Sequence, residues 1–114
     1  MAPLDTSDAR LIESAVDFER LLREAEGRPD LVVALYRKGS GKQTVSFDAL
    51  LETAMCHGWV DTQTKRIDDE RYAIRYVPRR SGSNWSPRNR AIARRLVLEG
   101  RMTAAALGSL PPDL

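Results

Sequence analysis

A chain of 114 residues with 42% hydrophobic and 30% charged residues is globular: too short for two cores and too apolar to stay disordered. Its 18 Lys+Arg and 16 Asp+Glu leave a net charge of +2, and a single cysteine excludes an internal disulfide and a multi-cysteine metal site. No run approaches the ~20 apolar residues of a membrane helix, and no basic-then-apolar leader stands at the N-terminus. The expectation is a cytoplasmic protein with no membrane insertion, cofactor or metal.

Residues 1–10 are polar and read as a flexible N-terminus, followed by one domain over 11–110. Leu11, Ala15, Phe18, Leu21, Leu22 and Ala25 recur at helical spacing, Ser14 and Asp17 resemble a capping box, and Gly27 and Pro29 stop the helix. Leu31–Tyr36 is short and β-branched, which predicts a buried strand. Gly39-Ser40-Gly41-Lys42 lacks the spacing of a phosphate loop and has Gln43 where Ser or Thr should follow Lys, so it reads as a turn. Ser46 opens a second helix over about 47–57, with Phe47, Leu50, Leu51, Ala54 and Met55 as its buried stripe. Cys56 falls on the opposite side, either exposed or covered by another element.

Gly58 ends that helix. Trp59–Ile67 and Tyr72–Val77 then predict a hairpin, with Asp68-Asp69-Glu70 as its turn and Pro78 as its stop. Residues 79–85 form a loop, and Ser86-Pro87 starts a third helix that Gly100 closes. Thr103 caps a short last helix. The architecture expected is a single α+β domain: a small, mainly antiparallel sheet with helices, notably the first and third, packed on one face.

Charge is segregated. Residues 1–30 hold eight acids and four arginines, whereas 71–98 hold eight arginines and no acid. Arg binds carboxylate and phosphate in bidentate fashion, where Lys acts as a point charge. Arg88, Arg90, Arg94 and Arg95 flank the apolar stripe of the third helix, and Arg79 and Arg80 reach its N-terminus, an anion-friendly end. These arginines either meet an anion or acidic partner, or they pair with acids of the first helix or simply solvate a surface. Trp59 and Trp85 sit at element boundaries, as packing residues or as the walls of one pocket. Asn89 either bonds back toward Ser86 or faces the Trp85 loop. His57, Asp61 and Asp69 are the general-base candidates nearby, yet no catalytic arrangement is legible among them.

The stretch Met55-Cys56-His57-Gly58-Trp59-Val60-Asp61-Thr62-Gln63, with Pro78-Arg79-Arg80-Ser81-Gly82-Ser83-Asn84-Trp85-Ser86-Pro87-Arg88-Asn89 and Leu96–Met102, resembles the YdeI/OmpD-associated family. The resemblance implies a bacterial protein linked to stress or antimicrobial-peptide (bacteriocin) protection, and it carries over no catalytic residue. It departs at Pro111-Pro112-Asp113-Leu114, where members commonly carry a further Ala-rich helix. The site expected is Trp59, Asp61, Arg79, Arg80, Asn84, Trp85, Ser86 and Asn89. Its ligand would be an anionic small molecule or an acidic protein segment, held without catalysis. The alternative is nucleic-acid binding through Arg75, Arg88, Arg90, Arg94 and Arg95 within the Arg71–Arg95 stretch.

Overall fold

Hydroxyl side chains start the helices. In the computed structural model, which describes residues 4–80 and 84–114, Ser14, Ser46, Ser86 and Thr103 accept from the amides of Asp17, Ala49, Asn89 and Ala106 at 3.1–3.2 Å. They open α1 (Ala15–Glu24), α2 (Phe47–Cys56), α3 (Pro87–Leu98) and α4 (Ala104–Gly108). The Asp17 carboxylate accepts from the Glu13 amide at 3.1 Å, one residue before the cap, and not from the amide of the cap residue Ser14 as in the usual capping box. Of the predicted loop, residues 81–83, Ser83 among them, lie outside the described residues.

The strands are β1 (Arg10–Leu11), β2 (Leu31–Tyr36), β3 (Trp59–Arg66) and β4 (Arg71–Pro78), in sheet order β1-β2-β4-β3. Both pairings of β4 are antiparallel, while β1 joins β2 in parallel, so the sheet is mixed. Sequence periodicity misses β1, since two residues carry no period. It also starts the first helix at Leu11, which stands in β1 and is 43% exposed. Ile12 takes the buried position instead, its amide donating to the Ala34 carbonyl at 2.9 Å. The segment before β1, expected to be frayed, holds a buried Leu4 whose carbonyl accepts from Lys65 Nζ at 3.1 Å.

Alternation gives the sheet two faces. Leu31, Val33 and Leu35 of β2 lie opposite Tyr76, Ile74 and Tyr72 of β4. This face meets Phe18, Leu21 and Leu22 of α1 and Leu50 and Ala54 of α2, with the Phe18 and Tyr76 ring centroids 4.8 Å apart. Each fully buried side chain of this size stabilises by about 1.5–3 kcal/mol. Val60, Gln63 and Lys65 of β3 and Ala73, Arg75 and Val77 of β4 point the other way.

The third helix does not pack as expected. Ala93 and Leu96 of α3 form a second cluster with Met55 and Cys56, and no strand residue belongs to it. Thus α2 is buried on two sides, which explains why Cys56 is covered. Phe47, the first helical residue, stands beyond both clusters and is 50% exposed.

Candidate functional site

The site is built where α2 passes into β3. His57 caps the helix, and Gly58 turns the chain at φ +78°, a conformation that favours glycine. The Gly58 carbonyl accepts from the Arg79 amide at 2.7 Å, closing the open end of the β3–β4 hairpin. Pro78 lies just before this bond. It pairs with Trp59 beyond the end of β2, so its missing amide breaks no ladder.

The Arg79 guanidinium carbon lies 4.0 Å from the centroid of the Trp85 ring. Trp85 precedes the Ser86 cap and packs against the Met55–Cys56–Leu96 cluster. One cation–π contact therefore ties the hairpin end to the start of α3. Burial pushes the Arg79 pKa down and the Asp61 carboxylate opposes that shift; the guanidinium stays charged in either case.

Arg79 borders two concavities. The more enclosed one, about 390 Å³, lies between Leu22 and Arg23 of α1, Glu26 just after it, the His57–Trp59 turn, and Thr103–Ala105. His57 Nε2 sits 3.7 Å from Glu19 Oε1. Burial lowers the His57 pKa, Glu19 raises it in part, and Arg23 adds to the lowering. Burial likewise raises the Cys56 thiol pKa, which leaves it unreactive.

The second is an open groove of about 750 Å³ on the sheet face that carries Val60 and Val77. Pro29, Val60, Val77 and Pro78 give it an apolar floor, Thr62 and Gln63 a polar rim, and Arg75, Arg79 and Arg80 its charge. No carboxylate is among the described residues that line it. Arg75 is anchored by Asp30, Nε to Oδ2 at 2.9 Å. Arg80 is exposed and has no ion pair among the described residues.

Arg79 brings the predicted residues together pairwise. It shares the enclosed cavity with Trp59, the stack with Trp85 and the groove with Arg80. The two indoles share neither of these concavities: Trp59 is 6% exposed in the main core, and Trp85 is not among the described residues that line either space. Asp61 is partly buried opposite Tyr76 in the hairpin, Asn84 is exposed, and Ser86 serves as the cap. Asn89 donates its amide to Ser86 Oγ.

The arginines of α3 turn to acids, though not to those of α1. Arg88 meets Asp48 at 2.9 Å, Arg90 meets Asp113, and Arg95 meets Glu52 at 2.8 Å and Glu99 at 3.3 Å. Exposed pairs of this kind contribute little to stability, about 0–1 kcal/mol each, but they cancel charge locally. Arg94 is exposed and has no ion pair among the described residues.

Sequence reasoning missed the groove's floor and rim. The period-two pattern does place Arg75 and Val77 on one face, and the hairpin sets Val60 and Gln63 beside them. The register shift between Asp61 and Gln63, which makes Thr62 an extra residue, leaves no such signal.

Fold and site together define a small, single-domain α+β protein with an arginine-bearing groove on its sheet. Residues 10–109 match the domain of unknown function DUF8412, and the chain belongs to that family. No curated protein and no solved structure matches it. No helix among the described residues is long and apolar enough to cross a membrane.

Proposed function

We propose that this protein is a non-enzymatic, cytoplasmic binding protein that holds an anionic ligand, a small carboxylate or phosphate compound or an acidic protein segment, in the open groove over β3 and β4. One observation carries the reading: three guanidinium groups, that of Arg75 paired with Asp30, line one concave surface with an apolar floor and no acid among its described lining residues. Forked donors suit carboxylate and phosphate oxygens, and the floor suits a ligand with an apolar body. The reading takes the sheet as mainly antiparallel with the helices gathered on one face, which leaves the groove face to the ligand. The resemblance to YdeI/OmpD-associated proteins supports a role in stress or antimicrobial-peptide protection.

Tryptophan fluorescence tests it, because an anion drawn to Arg79 alters the cation stacked on Trp85. Phosphate and citrate, titrated at low salt, should give a saturable change that Arg80→Glu abolishes. No response at millimolar concentration overturns the reading. Nucleic-acid binding through Arg75, Arg88, Arg90, Arg94 and Arg95 is the competing account, and a gel-shift series in salt separates the two. Each phosphate contact in that stretch should add about 0.7–0.9 to the salt slope. The ion pairs that occupy Arg75, Arg88, Arg90 and Arg95 weigh against it.

A further inference from the structure

The outer edge of β3 borders the groove, and the two together make a composite surface. β3 ends the sheet order, and among the described residues no backbone hydrogen bond reaches its outer side. Two bonds fix which of its groups point outward. The Arg79 amide donates to Gly58 at 2.7 Å, and the Ile67 amide donates to Arg71 at 3.0 Å. Hydrogen-bonded and non-hydrogen-bonded pairs alternate in an antiparallel ladder. Val60, Gln63 and Lys65 therefore bond toward β4, and the backbone groups of Asp61, Thr64 and Arg66 point away from the sheet.

We propose that an acidic, extended protein segment adds to β3 as a fifth strand, with its acidic side chains on the groove face; this rests on the anion-binding reading of the groove. Backbone bonds to Asp61, Thr64 and Arg66 would give affinity, and the groove would select the side chains. On that face each second side chain of the incoming strand stands beside Val60, Gln63 or Lys65, on the surface that Arg75, Arg79 and Arg80 continue. Carboxylates meet Lys65 and Arg80 there, and apolar groups meet Val60 and Val77.

The edge is also poorly built for a second copy of this chain. It carries the cations Lys65 and Arg66, and the Thr62 bulge disrupts a regular ladder. Edge cations and bulges are common devices against self-pairing. The same cations attract an acidic strand.

The test uses the full chain, isotope-labelled for amide exchange, and a blocked octapeptide of alternating Glu and Val. Two further peptides accompany it: one with its four central amides N-methylated, and one with Lys replacing Glu. The Glu–Val peptide should bind and slow exchange at Asp61, Thr64 and Arg66 by about tenfold or more, with Gln63 and Lys65 unchanged. Methylation should weaken binding by about tenfold, since several backbone bonds are lost with charge retained. The Lys–Val peptide should not bind.

Thr64→Pro removes one outward donor without removing a ladder bond, so it should weaken the Glu–Val peptide and leave the phosphate response unchanged. Equal binding of the methylated peptide, or no protection at the three amides, overturns strand addition. If phosphate or citrate still perturbs Trp85 in that event, the groove reading stands without it. If neither peptide nor small anion responds, the groove reading falls as well.

Discussion

Gly58→Ala is the most telling single change, because two separable costs meet at this position. The backbone there is left-handed, φ +78°, and placing a side chain in that conformation costs about 1–2 kcal/mol. A methyl at Gly58 would also lie 3.2 Å from the Ala106 Cα and 3.3 Å from its nitrogen. Carbon contacts are optimal at about 3.5–4.0 Å, and these neighbours are backbone that cannot swing aside. α4 must move, which strains the bond from the Thr103 amide to the Cys56 carbonyl at 2.9 Å. Overpacking of this kind adds about 1–3 kcal/mol. The summed loss is about 2–5 kcal/mol, and at about 4 °C per kcal/mol for a domain of this size the midpoint should fall by about 8–20 °C. Gly27→Ala is the control. Its φ is +85°, and nothing lies within 4 Å of the added carbon, so only the conformational cost applies, about 1 kcal/mol after the gain from a stiffer unfolded chain. Urea melts of both variants give the comparison. Equal losses at the two positions would refute the argument that Gly58 is required for its contact with α4.

Two further outcomes follow from the site. A double-mutant cycle of Arg79→Ala and Trp85→Ala in urea should yield a coupling of about 1 kcal/mol, as befits a half-buried cation–π pair; coupling below about 0.3 kcal/mol would place the two residues outside real contact. For His57, burial holds the folded pKa below that of the unfolded chain, so the unfolded state binds the proton more readily. The stability this supplies is present above about pH 6.5 and is lost as pH falls through the lower folded value. Wild type should therefore lose more stability than His57→Gln between pH 7.5 and 5.5, and parallel losses in the two proteins would contradict the assignment.

Much of the local structure was legible in the residues. Ser14, Ser46, Ser86 and Thr103 announce the helix starts because a hydroxyl next to unpaired amides has one obvious use. The hairpin was legible through its alternation and its Asp68-Asp69-Glu70 turn. What escaped were features set by partners distant in sequence. β1 exists because Ala34 lies beside it, and Phe47 is exposed because its helix begins beyond the core. Cys56 is covered because α3 arrives from forty residues further along the chain. At the site, Arg79 and Trp85 were singled out, and their stacking follows from the loop that joins them. Local spacing could not tell that Trp59 would turn inward while Trp85 turned to a different cluster. Nor could it tell that Asp48, Glu52, Glu99 and Asp113 would occupy the arginines of α3.

The two-sided burial of α2 has a mechanical consequence. Leu50 and Ala54 engage the sheet and α1, while Met55 and Cys56 engage α3 one turn away. The C-terminal third of the chain is thus moored largely along this one rod, beside the Arg79–Trp85 stack and the close approach of Ala106 to Gly58, and peeling it off uncovers that rod along one flank. Opening from the C-terminus and opening of the centre therefore share an energetic toll, so the domain unzips as one cooperative body rather than in two independent pieces.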